Sequence, residues 1–235
     1  MTAITAMTRR MVPAIATRGR ILAMSAVGII GILIGVLIRR AEVDTVDLDQ
    51  FVASFGFTIF VPLVALVIAT STLGTLREEK TLIYLWLRPI GRWKITASAI
   101  AAGLLLLLPL TLIPMGIIGA IPGETDSIFG ALAGAAVGLI AYLFVFTMLG
   151  LFTNRALAWG LLYVLVWEGL IAGFSDGASN LAIRTYARGA MARIADNSEI
   201  IDNPPAGSTI IIVTFAVAAV SFAITTWRLN TMTVD

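Results

Sequence analysis

Few residues in this chain of 235 residues have the chemistry that a catalytic site needs. It contains no histidine and no cysteine, which removes the commonest general base, thiol nucleophiles, disulfides and the usual soft-metal ligands. A serine and lysine pair at helical spacing, Lys94 and Ser98, adjoins a charged segment, where Lys94 more simply extends towards an aqueous interface. There is no phosphate-binding loop of the form G-x-x-x-x-G-K-[ST]. We therefore expect no enzyme activity, no metal and no bound cofactor in the chain itself.

Charged residues are instead concentrated in residues 74–94, between two apolar stretches. Helical spacing places Leu82, Leu85 and Trp86 on one face, beside a membrane. The charged residues that precede them would project into water as partners for a soluble domain: Arg77, Glu78, Glu79 and Lys80. Pro89 would end this helix. The segment is either a docking site for a soluble protein or an ordinary interfacial helix without a partner.

A single ionisable side chain, Glu168, lies inside an apolar stretch, next to Trp167. A carboxylate there costs several kcal/mol unless it is protonated, paired or in contact with water. Glu168 is then either a polar point on a translocation path or dimer interface, or a protonated carboxyl that makes a structural hydrogen bond to a neighbouring helix. A lone acid also argues against an ion-coupled carrier, which usually concentrates ionisable groups or broken helices near the membrane midplane.

The composition of the chain indicates what kind of secondary structure holds these residues in place. The chain is 59% hydrophobic and 13% charged, with a mean hydropathy of +0.97, far from the soluble average. A membrane span needs about 20 mostly apolar residues. The stretches that qualify are Ile21–Ile38, Phe51–Leu73, Ile95–Ile121, Ile128–Phe152, Ala156–Phe174 and Ser208–Trp227. We predict an all-α polytopic membrane protein with six transmembrane helices over residues 21–228.

The distribution of basic residues predicts the orientation. With a cytoplasmic N-terminus, most of them fall inside: Arg9, Arg10, Arg18, Arg20, Arg77, Lys80, Arg88, Arg92, Lys94, Arg155 and Arg228. The minority fall outside: Arg39, Arg40, Arg184, Arg188 and Arg193. Both termini, including the tail at 229–235, are then cytoplasmic in a multi-pass protein of the inner or plasma membrane. Because these residues act as topology signals and contact lipid headgroups, the net charge of +2 predicts no nucleic-acid partner.

Two regions outside the spans have amphipathic patterns. Residues 1–20 form either an interfacial helix, with Met7, Met11 and Ile15 on one face, or a disordered basic tail. Residues 176–205 predict short helices that lie on or dip into the outer leaflet. There Arg184 and Arg188, beside Tyr186, would contact anionic lipid headgroups or an anionic substrate.

Glycines at four-residue spacing predict close packing between helices. They are Gly31 and Gly35, then Gly130, Gly134 and Gly138, then Gly169 and Gly173. The prolines within the predicted spans should bend their helices: Pro62, Pro109 and Pro114.

The run from Leu76 to Lys94, LREEKTLIYLWLRPIGRWK, resembles the signature between the second and third spans of ABC-2 type transporter permeases. The likeness continues in residues 161–171, LLYVLVWEGLI, and in residues 183–186, IRTY. The resemblance implies a permease that pairs with a second permease subunit, identical or paralogous, and with two copies of an ATP-binding subunit, which carries the ATP and magnesium. It also implies a coupling helix at about residues 75–90, which adds Thr81 and Arg88 to the docking residues, and external helices that cap the translocation path.

We therefore expect the membrane half of an ATP-driven exporter, with a hydrophobic or amphiphilic substrate because the predicted path is apolar with one acid. Two alternatives remain open. One is an ion-coupled secondary transporter, and the other is a membrane scaffold or immunity-type protein without transport.

Overall fold

The computed structural model describes residues 3–41, 44–78, 91–174, 176–197 and 199–232, and throughout these ranges the regular structure is helical. The α-helices are α1 (Ala3–Ile15), α2 (Arg18–Arg40), α3 (Thr45–Phe55), α4 (Val61–Glu78), α5 (Arg92–Gly119), α6 (Thr125–Phe152), α7 (Ala156–Leu162), α8 (Asp176–Ser179), α9 (Ile183–Ile194) and α10 (Gly207–Thr231). A π-helical turn, Gly56–Phe60, joins α3 to α4. The predicted all-α class is confirmed.

Five helical stretches in the described part of the chain are long and apolar enough to cross a membrane: Arg18–Arg40, Asp47–Thr75, Arg92–Gly119, Thr125–Phe152 and Gly207–Thr231. They coincide with five of the six predicted spans. The predicted span Ala156–Phe174 is instead a shorter apolar helix, Ala156–Glu168, followed by a turn and the 3-10 helix Ile171–Gly173. Residues 156–173 are called the α7 segment below. The count of six spans is thus not confirmed.

The centre of the bundle is α6, which packs against α4, α5, α9 and α10. Its glycines allow α9 to approach closely, as their spacing predicts. A Cβ at Gly134 would lie 2.6 Å from the backbone oxygen of Ala187, and one at Gly130 would lie 3.0 Å from that of Met191. Because these neighbours are backbone atoms, they cannot move aside as a flexible side chain could.

Helix α2 runs beside α5. A Cβ at Gly28 would lie 3.1 Å from Pro114, and one at Gly35 would lie 2.5 Å from Ile121. The predicted packing role of Gly35 is therefore confirmed.

Pro109 and Pro114 both lie inside α5, which continues through them. Pro62 lies inside the continuous helical stretch Asp47–Thr75, directly after the π-helical turn Gly56–Phe60, and both features are known causes of bends in helices.

The N-terminal residues from Ala3 to Ile15 form α1, so the alternative of a disordered tail is wrong for them. Met11 and Ile15 are buried, Met7 is half-buried and Arg10 is exposed. The predicted apolar face therefore packs against the protein, on α5. We call this end of the bundle the α1 end, and the opposite end, which contains residues 176–206, the α9 end.

Two helices, α8 and α9, occupy the predicted external region at 176–205. Helix α9 buries Ile183, Ala187 and Met191 and packs along α6. Helix α9 therefore lies within the bundle.

Candidate functional site

The most connected buried polar group in the described residues is the carboxylate of Glu168, whose side chain is 1% exposed. It accepts hydrogen bonds from the hydroxyl of Tyr142, from the hydroxyl of Tyr163 at 3.0 Å and from the backbone N–H of Ile183 at 3.0 Å. We call Glu168, Tyr142, Tyr163 and Ile183 the Glu168 cluster.

A change in helix type brings two of these residues together. Tyr163 and Glu168 are the first and last residues of a π-helical turn, and Gly169 donates to the backbone oxygen of Val164 at 2.9 Å, five residues back. In an α-helix residues three or four apart share a face, whereas i→i+5 hydrogen bonding is the mark of a π-helix. The π-helical turn therefore lets the Tyr163 hydroxyl reach the Glu168 carboxylate.

The third partner belongs to a helix terminus. Ile183 is the first residue of α9, and its N–H group is one of the first four in a helix that lack an intrahelical acceptor. A carboxylate at that position also interacts favourably with the helix dipole. Glu168 thus satisfies a buried donor while its own oxygens are satisfied in return, as buried polar groups generally are.

The cluster connects three separate elements. Tyr142 comes from α6, Tyr163 and Glu168 from the α7 segment, and Ile183 from α9. The ring of Tyr142 stacks on Phe146 at 5.5 Å between centroids, and Phe146 meets Tyr163 edge-on at 6.3 Å. The expected structural hydrogen bond between Glu168 and a neighbouring helix is therefore present. A position on a translocation path or at a dimer interface stays a prediction.

An apolar cavity of about 390 Å³ adjoins the cluster, between α6 and the α7 segment. Its walls include Phe146, Trp159, Leu162, Tyr163, Trp167 and Ile171. Trp167 therefore contributes to the cavity, while its neighbour Glu168 points away into the protein. Tyr163 contributes to both, with its ring at the cavity and its hydroxyl on Glu168.

The arginines predicted for the external helices lie on α9. Arg188 donates from Nη2 to the backbone oxygen of Ile200 at 2.8 Å and lies 3.5 Å from Oε1 of Gln50. Burial, and then the positive charge of Arg184, lowers the pKa of Arg188 below its usual value. Tyr186 donates to the backbone oxygen of Asn180 at 2.7 Å. Arg188 and Tyr186 thus bind the protein itself, and contact with lipid or an anionic substrate stays a prediction.

The predicted coupling residues lie mostly outside the described residues. Arg77 and Glu78 end α4, which continues without a break from the second span, so residues 75–78 belong to that helix. The others fall in the range 79–90, which is not described: Glu79, Lys80, Thr81, Leu82, Leu85, Trp86 and Arg88. In the described ranges no group of three or more acidic side chains is placed to hold a metal ion.

Sequence reasoning identified Glu168 but none of its partners. Tyr142 and Tyr163 are the tyrosines of the apolar stretches, and a buried hydroxyl needs a partner, so they could have been proposed. The backbone N–H of Ile183 could not have been proposed in this way. It lacks an intrahelical acceptor only because α9 begins at Ile183, and the sequence does not reveal that boundary.

Comparison with known proteins agrees with the helical architecture. A family model described as an ABC-2 family transporter protein matches residues 15–175. No curated protein matches the chain significantly.

Proposed function

The chain belongs to the ABC-2 family of transporter proteins, and on that premise we propose that it is the permease subunit of an ATP-driven exporter of a hydrophobic or amphiphilic substrate. A separate ATP-binding subunit supplies the energy, and ATP and magnesium bind there. The chain spans the membrane several times, with its α1 end in the cytoplasm.

The apolar cavity beside the Glu168 cluster is the observation that supports a hydrophobic substrate. It has a volume of about 390 Å³, within the usual range for small-molecule sites. Its aromatic walls suit an apolar or amphiphilic molecule, and one of them, Trp159, is 55% exposed in the single chain.

Charge at the α1 end supports the orientation and the docking of the ATP-binding subunit. The described basic residues there include Arg9, Arg10, Arg92 and Lys94, as the positive-inside rule requires of a cytoplasmic face. Helix α4 carries Arg77 and Glu78 to this end. A soluble subunit that docks there would meet the charged segment at residues 77–80.

The proposed transport is tested with proteoliposomes that contain the tagged chain and the ATP-binding subunit that co-purifies with it. We expect ATP-dependent movement of a fluorescent amphiphilic dye. Trp159→Ala should reduce the rate several-fold, because it removes an aromatic wall of the cavity.

Trp227→Ala is the matched control, since Trp227 is 58% exposed on α10 but does not line the cavity. Equal rates in the wild type and both variants would exclude this cavity as the substrate site. If no ATP-binding subunit co-purifies, the ATP-driven exporter itself is contradicted.

A further inference from the structure

A groove of about 490 Å³ lies between α1 and the first half of α5. The α5 wall is apolar, with Ala101 and Leu105, and the α1 wall is largely apolar with Arg9 as its charged group: Ile4, Thr5, Thr8, Arg9, Val12 and Pro13. We propose that this groove binds an anionic phospholipid from the leaflet at the α1 end. The guanidinium of Arg9 contacts the lipid phosphate, and the glycerol backbone and the first carbons of an acyl chain lie along Ala101 and Leu105.

The depth of the groove in the membrane follows from the register of two helices. Gly28 faces Pro114 and Gly35 faces Ile121, so α2 and α5 run parallel and stay in step. The same register places Arg18 at the level of Leu104. Arg18 and Arg20 immediately precede the apolar residues of the first span and mark the edge of the hydrocarbon. The groove therefore lies where lipid headgroups meet acyl chains.

Specific hydrogen bonds fix the geometry of the groove. The hydroxyl of Thr8 donates to the backbone oxygen of Ile4 at 2.9 Å and lies 3.4 Å from that of Ser98. The hydroxyl of Ser98 lies 3.4 Å from the backbone oxygen of Ile4. The two contacts between Ser98 and α1, with the burial of Met11 and Ile15, hold α1 against α5. The groove is thus a preformed site between two packed helices.

The chemistry of the walls favours an anionic lipid over other occupants. A zwitterionic lipid gains little net attraction from Arg9, whereas a basic residue near the membrane surface strengthens binding of an anionic lipid about fivefold. Free phosphate would gain too little from the exposed Arg9 to bind detectably, and it has nothing to place against Leu105, which is 58% exposed. Only a molecule with both an anionic head and an apolar tail contacts both Arg9 and the apolar surface of the groove.

The test uses the purified full chain in a neutral detergent, titrated with phosphatidylglycerol or with phosphatidylcholine of the same acyl chains, and native mass spectrometry to count bound lipids. We expect the wild type to bind phosphatidylglycerol about fivefold more tightly. Arg9→Ala should abolish this preference. Arg10→Ala is the matched control, because Arg10 is the exposed adjacent arginine and does not line the groove, and it should keep the preference.

A second variant tests the apolar wall. Ala101→Phe fills the groove and should weaken binding of both lipids, while inorganic phosphate alone should leave the thermal stability of the wild type unchanged. Equal losses in Arg9→Ala and Arg10→Ala would overturn the proposal in favour of diffuse electrostatic attraction. So would equal binding of the two lipids by the wild type, or stabilisation by phosphate alone. The inference does not rest on transport, so these outcomes are independent of the dye-export experiment.

Discussion

At the scale of single residues, the main finding concerns Glu168. The sequence correctly marks it as costly, since it is the one acid within an apolar stretch, but it leaves a protonated structural group and a functional group equally open. The structure gives it three donors from three elements. Glu168 therefore has a structural role, because its side chain holds α6, the α7 segment and α9 together.

Removal of the carboxylate should destabilise the bundle. Glu168→Leu leaves the hydroxyls of Tyr142 and Tyr163 and the N–H of Ile183 without an acceptor, and each unsatisfied buried donor costs about 1–3 kcal/mol. We expect a loss of about 3 kcal/mol, seen as a fall in Tm of roughly 8 °C for a chain of this size. Thermal unfolding of the purified protein in detergent measures it.

Glu168→Gln is the matched control for shape. Its amide oxygen can still accept from Ile183, so we expect a loss of about 1 kcal/mol. If Glu168→Gln lowers the transport rate far more than this small loss of stability explains, Glu168 belongs to the translocation path. If Glu168→Leu unfolds at the wild-type temperature, the three hydrogen bonds do not hold the elements together.

At the scale of elements, regular apolar helices were predictable and the broken one was not. Five predicted spans appear nearly at their expected bounds, because a long apolar run must form its backbone hydrogen bonds internally in a membrane. The prediction treated Ala156–Phe174 as another such run. The π-helical turn at Tyr163–Glu168 and the break at Gly169 depend on tertiary contacts of Glu168, which hydropathy does not encode.

The approach of α9 to α6 gives a sharp test of packing. Gly134→Ala would place a Cβ 2.6 Å from the backbone oxygen of Ala187 and 2.5 Å from the ring of Phe57. We expect a loss of about 1–3 kcal/mol from overpacking, measured by thermal unfolding. Gly116→Ala is the control, since its Cβ would lie 3.4 Å from Leu132. A better helix former there should stabilise α5 by about 0.5 kcal/mol. Equal effects of the two changes would contradict this packing.

The charged segment between α4 and α5 gives a test of the proposed docking. Reversal of Glu78 and Glu79 to Lys should lower the amount of co-purified ATP-binding subunit or uncouple ATP hydrolysis from transport, because like charges at an interface cost several kcal/mol. Membrane insertion should persist, since added positive charge reinforces a cytoplasmic loop.

Leu82→Asp with Trp86→Asp serves as the contrasting variant. This double change should detach the apolar face of the segment from the membrane and so lower the yield of folded protein. The charge reversal should leave that yield unchanged. Wild-type co-purification and wild-type ATPase activity in the charge-reversed chain would remove this segment as the coupling element.

At the scale of the whole molecule, the described bundle includes an apolar stretch whose backbone departs from the α-helix. After Glu168, the α7 segment continues as a turn and a short 3-10 helix, at the depth of Tyr142 in α6. Two of the large side chains here are exposed, Leu170 at 60% and Phe174, directly after the segment, at 84%. Irregular backbone at membrane depth is tolerated where other protein covers it or where it lines a cavity. A second copy of the chain, packed on the α7 segment, would supply that cover.

Dimer formation through this surface can be tested by cysteine cross-linking, because the native chain has no cysteine to give background products. Leu165→Cys places a thiol on the α7 segment at a site 64% exposed, and Ile212→Cys places one on the regular helix α10 at a site 65% exposed. We expect oxidation in native membranes to give a disulfide-linked product at twice 25.0 kDa for Leu165→Cys. The Ile212→Cys chain should stay monomeric, because a regular apolar helix satisfies its own backbone and can face lipid.

Monomer alone from both variants, with the ATP-binding subunit present, would contradict the dimer. A cross-link from Ile212→Cys only would keep the dimer but move its interface to α10.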